Sequence, residues 1–273
     1  MTHSNRHLAR AKINLTLHVT GRRPDGLHLL DSLVVFAEVG DVIEVTPAAE
    51  VSLTIDGPFA QGLSVAPDNL VLRAAAHVGA VGAIRLTKVL PVSSGIGGGS
   101  ADAAATVRAM VDTLPDARSL QVLGADVPVC LASRTARMRG IGEVLEAVPD
   151  LPPCWVVLVN PGVGVSTPAV FRALETADNP PMELPDSFAD FDGFTTWLGQ
   201  QRNDLQEPAC QVAPVIRDAL TELGRDAALA RMSGSGATCF GLYPNEAAAR
   251  RAADRLRAGH PDWWVAAAPL RRD

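Results

Sequence analysis

The chain has 273 residues, is 47% hydrophobic and 20% charged, and carries a formal net charge of -6. Such a chain folds with a sizeable core, as one large domain or two ordinary ones. The acidic balance argues against a nucleic-acid binder working through a broad basic face, and no apolar run approaches the ~20 residues of a membrane span.

The N-terminal stretch Met1–His7 is not followed by an apolar core, so it does not read as a secretory signal. The four cysteines, Cys130, Cys154, Cys210 and Cys239, are far apart and form no CxxC pair. They read as small core hydrophobes in a reducing cytoplasm, and their spacing argues against structural zinc.

Residues 9–20 alternate as a strand, with Ile13, Leu15, Leu17 and Val19 on one face and Lys12, Asn14, Thr16 and His18 on the other. That second face is either a solvated surface or one that points Lys12 and Asn14 into a cleft. Gly21–His28 contains Pro24 and Asp25-Gly26 and reads as a turn. Strands are expected over 29–39, 41–46 and 51–55, and a helix over 70–78, capped by Asp68 or Asn69.

An apolar strand over 84–90, with Lys88 near its end, feeds Pro91-Val92-Ser93-Ser94-Gly95-Ile96-Gly97-Gly98-Gly99-Ser100-Ala101-Asp102. An Ala-rich helix follows from Ala103. Glycines allow φ > 0 and close approach, and the first N–H groups of a helix are unpartnered and partly positive. Strand, glycine loop and helix start therefore make an anion site, most often for phosphate. The alternative is a flexible loop capped by Ser100.

Asp126 sits in the otherwise apolar stretch Leu123–Leu131. A carboxylate there is either functional or an N-cap, since Pro128 favours a helix start. Gly140-Ile141-Gly142-Glu143 is a glycine turn, and Pro149–Pro153 reads as a domain boundary, giving domains 1–150 and 151–273. A buried strand over 155–159, a helix over 169–177 after Ser166-Thr167-Pro168, and a proline-rich loop over 179–192 follow.

An amphipathic helix lies within 208–223, with Val212, Val215, Ile216, Leu220 and Leu223 near helical spacing. A second glycine cluster, Arg231–Leu242, leads into an apolar strand and is either a tight hairpin turn or a backbone that lies against the first loop. A charged helix over 246–258 and a strand over 263–270 end the chain.

There is no GxxxxGK[ST] and no HRD or DFG, and Ser100 stands where a GxGxxG fingerprint needs its third glycine. The loop Pro91–Ala101 and the turn Met232–Thr238 instead closely resemble the ATP-phosphate and C-terminal glycine motifs of the GHMP small-molecule kinases. Within that family, three stretches are most similar to members acting on a cytidine diphosphate-linked methylerythritol. They are Ala11–Leu15 running on to Gly21 and Asp25–His28, Leu123–Val129, and Pro161-Gly162 with Ser166-Thr167-Pro168.

The resemblance implies a two-domain α+β fold. The N-terminal domain would be of the ribosomal protein S5 domain 2 type, the C-terminal domain ferredoxin-like, with the active site in the cleft between domains. It implies ATP-dependent phosphorylation of the methylerythritol 2-hydroxyl, a step of non-mevalonate isoprenoid biosynthesis. Asp126 matches the catalytic base and Lys12 the partner lysine that holds Asp126 ionised and polarises the hydroxyl. Pro91, Val92, Ser93, Ser94, Gly95, Ile96, Gly97, Gly98, Gly99, Ser100 and Ala101 match the phosphate loop, and Lys88 a lysine near the nucleotide. Mg²⁺ would ride on the ATP phosphates, with the Ser100 hydroxyl as a candidate ligand and no metal centre of the protein's own.

Asn14, His28, Thr167 and Phe171 match positions that hold the cytidine diphosphate end, and the backbone at Ile141 a position that reads the cytosine edge. Leu27 stands where the family usually has an aromatic, which leaves Phe171 as the stacking ring and Leu27 as an apolar contact. The segment 112–123 is shorter than in close relatives, so a helix before Asp126 is trimmed. The remaining readings are a homoserine or mevalonate type of GHMP kinase and a nucleotide-binding protein without catalysis. A cytoplasmic monomer or weak homodimer, with no nucleic-acid or membrane partner, is expected.

Overall fold

A computed structural model describes residues 5–271; the first four residues of the Met1–His7 stretch lie outside it. Contacts divide the chain into two compact units. One is Met1–Lys12, Val39–Val92 and Gly97–Ser133; the other is Ile13–Glu38, Ser93–Ile96 and Arg134–Asp273. The chain passes from one unit to the other several times.

Strands β1 (Asn5–Asn14), β2 (His18–Arg22) and β3 (His28–Thr46) open the chain. The single strand expected over 9–20 is broken at Leu15–Leu17. The Leu15 N–H donates to the Leu33 carbonyl, whereas the Leu17 N–H turns to the carbonyl of Arg202. The two strands expected over 29–39 and 41–46 are one. Gly40 does not interrupt β3: a Cβ there would lie 2.2 Å from the Ala9 carbonyl oxygen, so the glycine is where the β1 backbone comes closest.

The first unit adds β4 (Ser52–Asp56), α1 (Leu70–His77), β5 (Ala83–Thr87), α2 (Gly98–Met110), a 3-10 turn (Ala117–Val122) and α3 (Val127–Ala132). β5 runs parallel to β4 and antiparallel to Val42–Thr46 of β3. Helix α1 packs on α2, and α2 on α3. Asn69, not Asp68, caps α1, accepting from the Val71 N–H. The run Ala101, Ala103, Ala104 and Ala105 is buried, and such small side chains let neighbouring helices approach closely. Helix α2 begins before the Ala run, at Gly98, because its N-cap is Gly97 at φ 65° and not Ser100. The stretch before Asp126 forms the 3-10 turn, capped by Asp116.

The second unit holds β6 (Ala136–Gly140), β7 (Val144–Glu146), β8 (Trp155–Asn160), α4 (Thr167–Arg172), α5 (Phe191–Gly199), α6 (Gln206–Val212), α7 (Val215–Leu223), β9 (Leu229–Met232), β10 (Cys239–Tyr243), α8 (Glu246–Gly259) and β11 (Trp264–Pro269). Its four-stranded sheet has the order β11-β8-β10-β9 with every pairing antiparallel. With α7 and α8 packed on it, that is the ferredoxin-like order of a β-α-β-β-α-β unit. Its core includes Val157, Val159, Ile216, Leu223, Ala249 and Leu256. The molecule is α+β.

Three helical expectations change in this unit. The amphipathic helix within 208–223 is two helices, because Ala213 before Pro214 is pushed to φ -138°, ψ 86° and ends α6; Val212 is exposed. Helix α4 stops at Arg172 rather than 177, since Asp178 bridges Thr20 and the Asn179 N–H donates to the Val19 carbonyl. Helix α5 was hidden beside the prolines; Asp190 caps it and Phe194 and Leu198 bury its inner face.

Gly40→Ala is expected to lower stability by about 1–3 kcal/mol, the usual cost of overpacking, read as a fall in urea midpoint at unchanged slope. A variant with the wild-type midpoint would show that β1 and β3 can part there without loss.

Candidate active site

In the first unit, Lys12 lies near the end of β1 and is buried, 4% exposed. Its Nζ is 3.0 Å from Asp126 Oδ2, and the Asp126 side chain is 31% exposed. Asp126 occupies the N-cap position of α3, yet its side chain makes no capping hydrogen bond. The carboxylate is therefore turned to Lys12 and to solvent and does not serve the helix. Arg108 of α2 donates to the carbonyls of Cys130 and Leu131. This satisfies the last carbonyls of α3 and holds the helix in orientation.

The N-terminal turn of α2 reaches the same place. A Cβ on Gly97 would lie 3.2 Å from Lys12 Cβ and Cε, and a Cβ on Gly124 would lie 3.8 Å from Ser100 Oγ. Gly97 is thus required twice, for its left-handed φ and for room beside the lysine. Burial pushes the neighbouring Cys130 thiol up to about 12, so it stays a protonated, inert filler. Of the loop residues in this unit, Pro91 and Ala101 are buried, Val92 and Gly99 are exposed, and Gly97, Gly98 and Ser100 are half-buried. The Ala101 N–H closes onto the Gly97 carbonyl.

Lys88 does not present its charge to the surface. It is 3% exposed, and its ammonium donates to Asp41 and Asp102. Neither of those acids was singled out from the sequence. Asp102, alone among alanines, carried the same signal as Asp126: a charge in an apolar helix needs a partner.

In the second unit, the middle of the loop, Ser93–Ile96, lies against the second glycine turn. A Cβ on Gly95 would be 2.5 Å from the Ser233 carbonyl oxygen and 2.8 Å from Gly236 N. The Thr238 N–H donates to the Ser94 carbonyl, and Ser233 Oγ donates to the Gly95 carbonyl. Both readings of Met232–Thr238 are observed: the segment is the hairpin turn that joins antiparallel β9 and β10, with Met232 opposite Cys239, and its backbone lies against Ser93–Ile96. Ser93 holds φ 51° and is exposed, whereas Ser94 and Ile96 are buried.

Asn14 is also buried. Its N–H donates to Ser233 Oγ and its Nδ2 to Ser32 Oγ, so this residue helps hold the turn in place. His28 and Phe171 stack with centroids 4.6 Å apart and planes 21° apart. Leu27 is exposed beside them in sequence, on a turn closed by its N–H to Asp25. Thr167, the exposed first residue of α4, pairs with Ser235 Oγ at 2.7 Å. Ser235 escaped sequence reasoning because a serine among glycines reads as turn chemistry. The Ile141 N–H donates to Glu143 at 2.5 Å, so that backbone donor is already engaged.

Residues 69–134 match the GHMP kinases N terminal domain and residues 190–262 the GHMP kinases C terminal domain. The chain belongs to the GHMP kinase family. It is 57% identical over 267 residues to a 4-diphosphocytidyl-2-C-methyl-D-erythritol kinase of Cereibacter sphaeroides, covering 94% of this chain and 96% of that one. It is 58% identical over 268 residues to the kinase of that name from Paracoccus denitrificans, covering 97% and 96%. A crystal structure of 4-(cytidine 5'-diphospho)-2C-methyl-D-erythritol kinase superposes with TM-score 0.77 at 32% identity, over 98% of this chain and 100% of that one. A homoserine kinase from Cytophaga hutchinsonii, at 16% identity and TM-score 0.64 over 97% and 94% of the two chains, shares the fold.

Burial first, and then the Arg22 charge, hold the His28 imidazole below its ordinary value of 6.5. The ring is therefore neutral at pH 7. Followed by NMR, His28 is expected to titrate below 6.5, and Arg22→Gln to move it upward by removing the second cause. A midpoint above 6.5, unmoved by the substitution, would contradict this.

Proposed function

We propose that this chain transfers the γ-phosphate of ATP to the 2-hydroxyl of 4-diphosphocytidyl-2-C-methyl-D-erythritol. The observation that carries the reading is the Lys12–Asp126 pair, set beside a glycine-started helix, in a chain that matches kinases of that name along nearly its whole length. Phosphoryl transfer needs little covalent help from a protein; positioning and charge stabilisation supply most of the rate.

The triphosphate is held by the loop 91–101, where the N–H groups of Gly98, Gly99 and Ser100 begin α2 and precede the first intrahelical bond at Ala101. Asp126 accepts the proton of the 2-hydroxyl as that oxygen attacks the γ-phosphorus and the bond to ADP breaks. The lone pairs needed for this are available because the carboxylate does not cap α3. Lys12, kept rigid by burial, orients Asp126 and offsets the negative charge that gathers on the transferring group. The half-exposed Ser100 hydroxyl on the first turn of α2 is the group of this chain that would hold a Mg²⁺ arriving with ATP, which would supply charge neutralisation to the phosphates.

The residues assigned to the cytidine diphosphate end all lie in the second unit. The flat His28–Phe171 stack is the surface offered to the cytosine, with Leu27 adding apolar contact. Thr167, tied to Ser235, presents the first turn of α4 to the diphosphate. Asn14 positions the glycine turn beneath it through Ser233. The enzyme works in the cytoplasm, where four buried cysteines with no disulfide among them persist.

A coupled ADP-release assay with the cytidyl substrate tests the reading. Asp126→Asn is expected to retain ATP binding and lose about 10²–10⁴-fold in kcat, the range of general-base contributions. Unchanged kcat in the variant would remove Asp126 from its role. Wild-type turnover of homoserine or mevalonate but not the cytidyl substrate would overturn the substrate assignment.

A further inference from the structure

The cluster formed by Lys88, Asp41 and Asp102 is unused by the mechanism above, and its three side chains are almost wholly buried: 4%, 0% and 3% exposed. Lys88 Nζ is 2.5 Å from Asp41 Oδ2 and 2.8 Å from Asp102 Oδ2. Asp41 Oδ1 in turn accepts the N–H groups of Val89 and Leu90 at 2.5 and 2.8 Å. One carboxylate therefore fastens the segment that enters the glycine loop, while the other belongs to the second turn of α2, which leaves the loop.

A Cβ placed on Gly98 would lie 3.1 Å from Lys88 Nζ and 3.7 Å from Asp41 Oδ2. The ammonium thus sits directly beneath the first residue of α2. Two of its three donors are spent on carboxylates and its side chain is 4% exposed, so it acts through those partners and does not reach out to a ligand. Among the described residues, Asp102 Oδ1 has no hydrogen-bond partner.

A buried ionic cluster is a poor source of stability, because an apolar replacement often does as well or better. What it does supply is a fixed geometry. We propose that Lys88, held between Asp41 and Asp102, is a positioning residue that locks the first turn of α2 in the arrangement that receives the nucleotide's phosphates. The inference rests on reading the loop as the ATP site. Burial, reinforced by the Asp41 charge and opposed by Lys88, pushes Asp102 up to about 7. Removing this acid therefore leaves Lys88 paired one-to-one with Asp41 and strands no charge.

The test uses calorimetric titration of the full chain with a non-hydrolysable ATP analogue and, separately, with cytidine 5'-monophosphate. Asp102→Ala is expected to weaken the ATP analogue by about tenfold or more and to leave the cytidine nucleotide unchanged. Asp102→Asn keeps an acceptor for the ammonium and is expected to recover affinity to within about threefold of wild type. Wild-type affinity in Asp102→Ala, or an equal loss for both nucleotides, overturns the proposal.

Backbone order parameters of the nucleotide-free wild type decide the matter even if the alanine variant does not fold. Gly98, Gly99 and Ser100 are expected near 0.85, the rigid value, and values below about 0.6 overturn the proposal. If the wild type binds no ATP analogue, the nucleotide reading fails, while the order parameters still judge whether the turn is locked.

Discussion

A buried ammonium facing a carboxylate that does not cap its own helix is the constraint on which the first unit depends. Lys12 is carried inward on β1 and needs a counter-charge; left unpaired, a buried charge would be strongly destabilising. Asp126 provides it at 3.0 Å, and does so by forgoing the hydrogen bond that its N-cap position offers. The neighbouring geometry follows from that choice. Gly97 is the residue that fits beside the lysine stem while starting α2 in a left-handed conformation. Arg108 fixes the far end of α3 so that the acid at its near end has one position.

The two glycine turns of the second unit obey the same logic with backbone in place of charge. Gly95 approaches Ser233 and Gly236 so closely that a single added carbon would collide with main chain. Ser233 binds both the Gly95 carbonyl and the Asn14 N–H, so one hydroxyl joins the end of β1, the first loop and the second turn. Pre-formed loops of this kind make electrostatic catalysis effective, since nothing reorganises when charge develops.

Much of this was legible in the sequence. The order strand, glycine loop, Ala-rich helix stands in the residues themselves, and so does an acid isolated among apolar residues at 126. Gly95 and Gly234–Gly236 allowed a close backbone approach of the second glycine segment to the first, and the structure has it. Other features were not legible, for identifiable reasons. Lys88 reads as a cation near a ligand because the two carboxylates that bury it come from positions 41 and 102, far apart along the chain. Gly40 looks like a strand end until β1 is seen to pass against it. Pro214 splits an amphipathic run whose periodicity alone argues for continuity. Tertiary partners decided the first two cases and a single proline the third, and apolar periodicity carries no record of either.

The most direct test of Asp126 as the base is a crystal structure of the full chain with a non-hydrolysable ATP analogue and the cytidyl substrate. The substrate's 2-hydroxyl oxygen is expected at about 2.6–3.2 Å from the Asp126 carboxylate, the hydrogen-bond reach of a general base. The γ-phosphate is expected within in-line reach of that oxygen, and the triphosphate on the N–H groups that open α2. A complex in which the acceptor hydroxyl is turned away from Asp126, or the phosphates lie away from the glycine loop, would contradict the assignment.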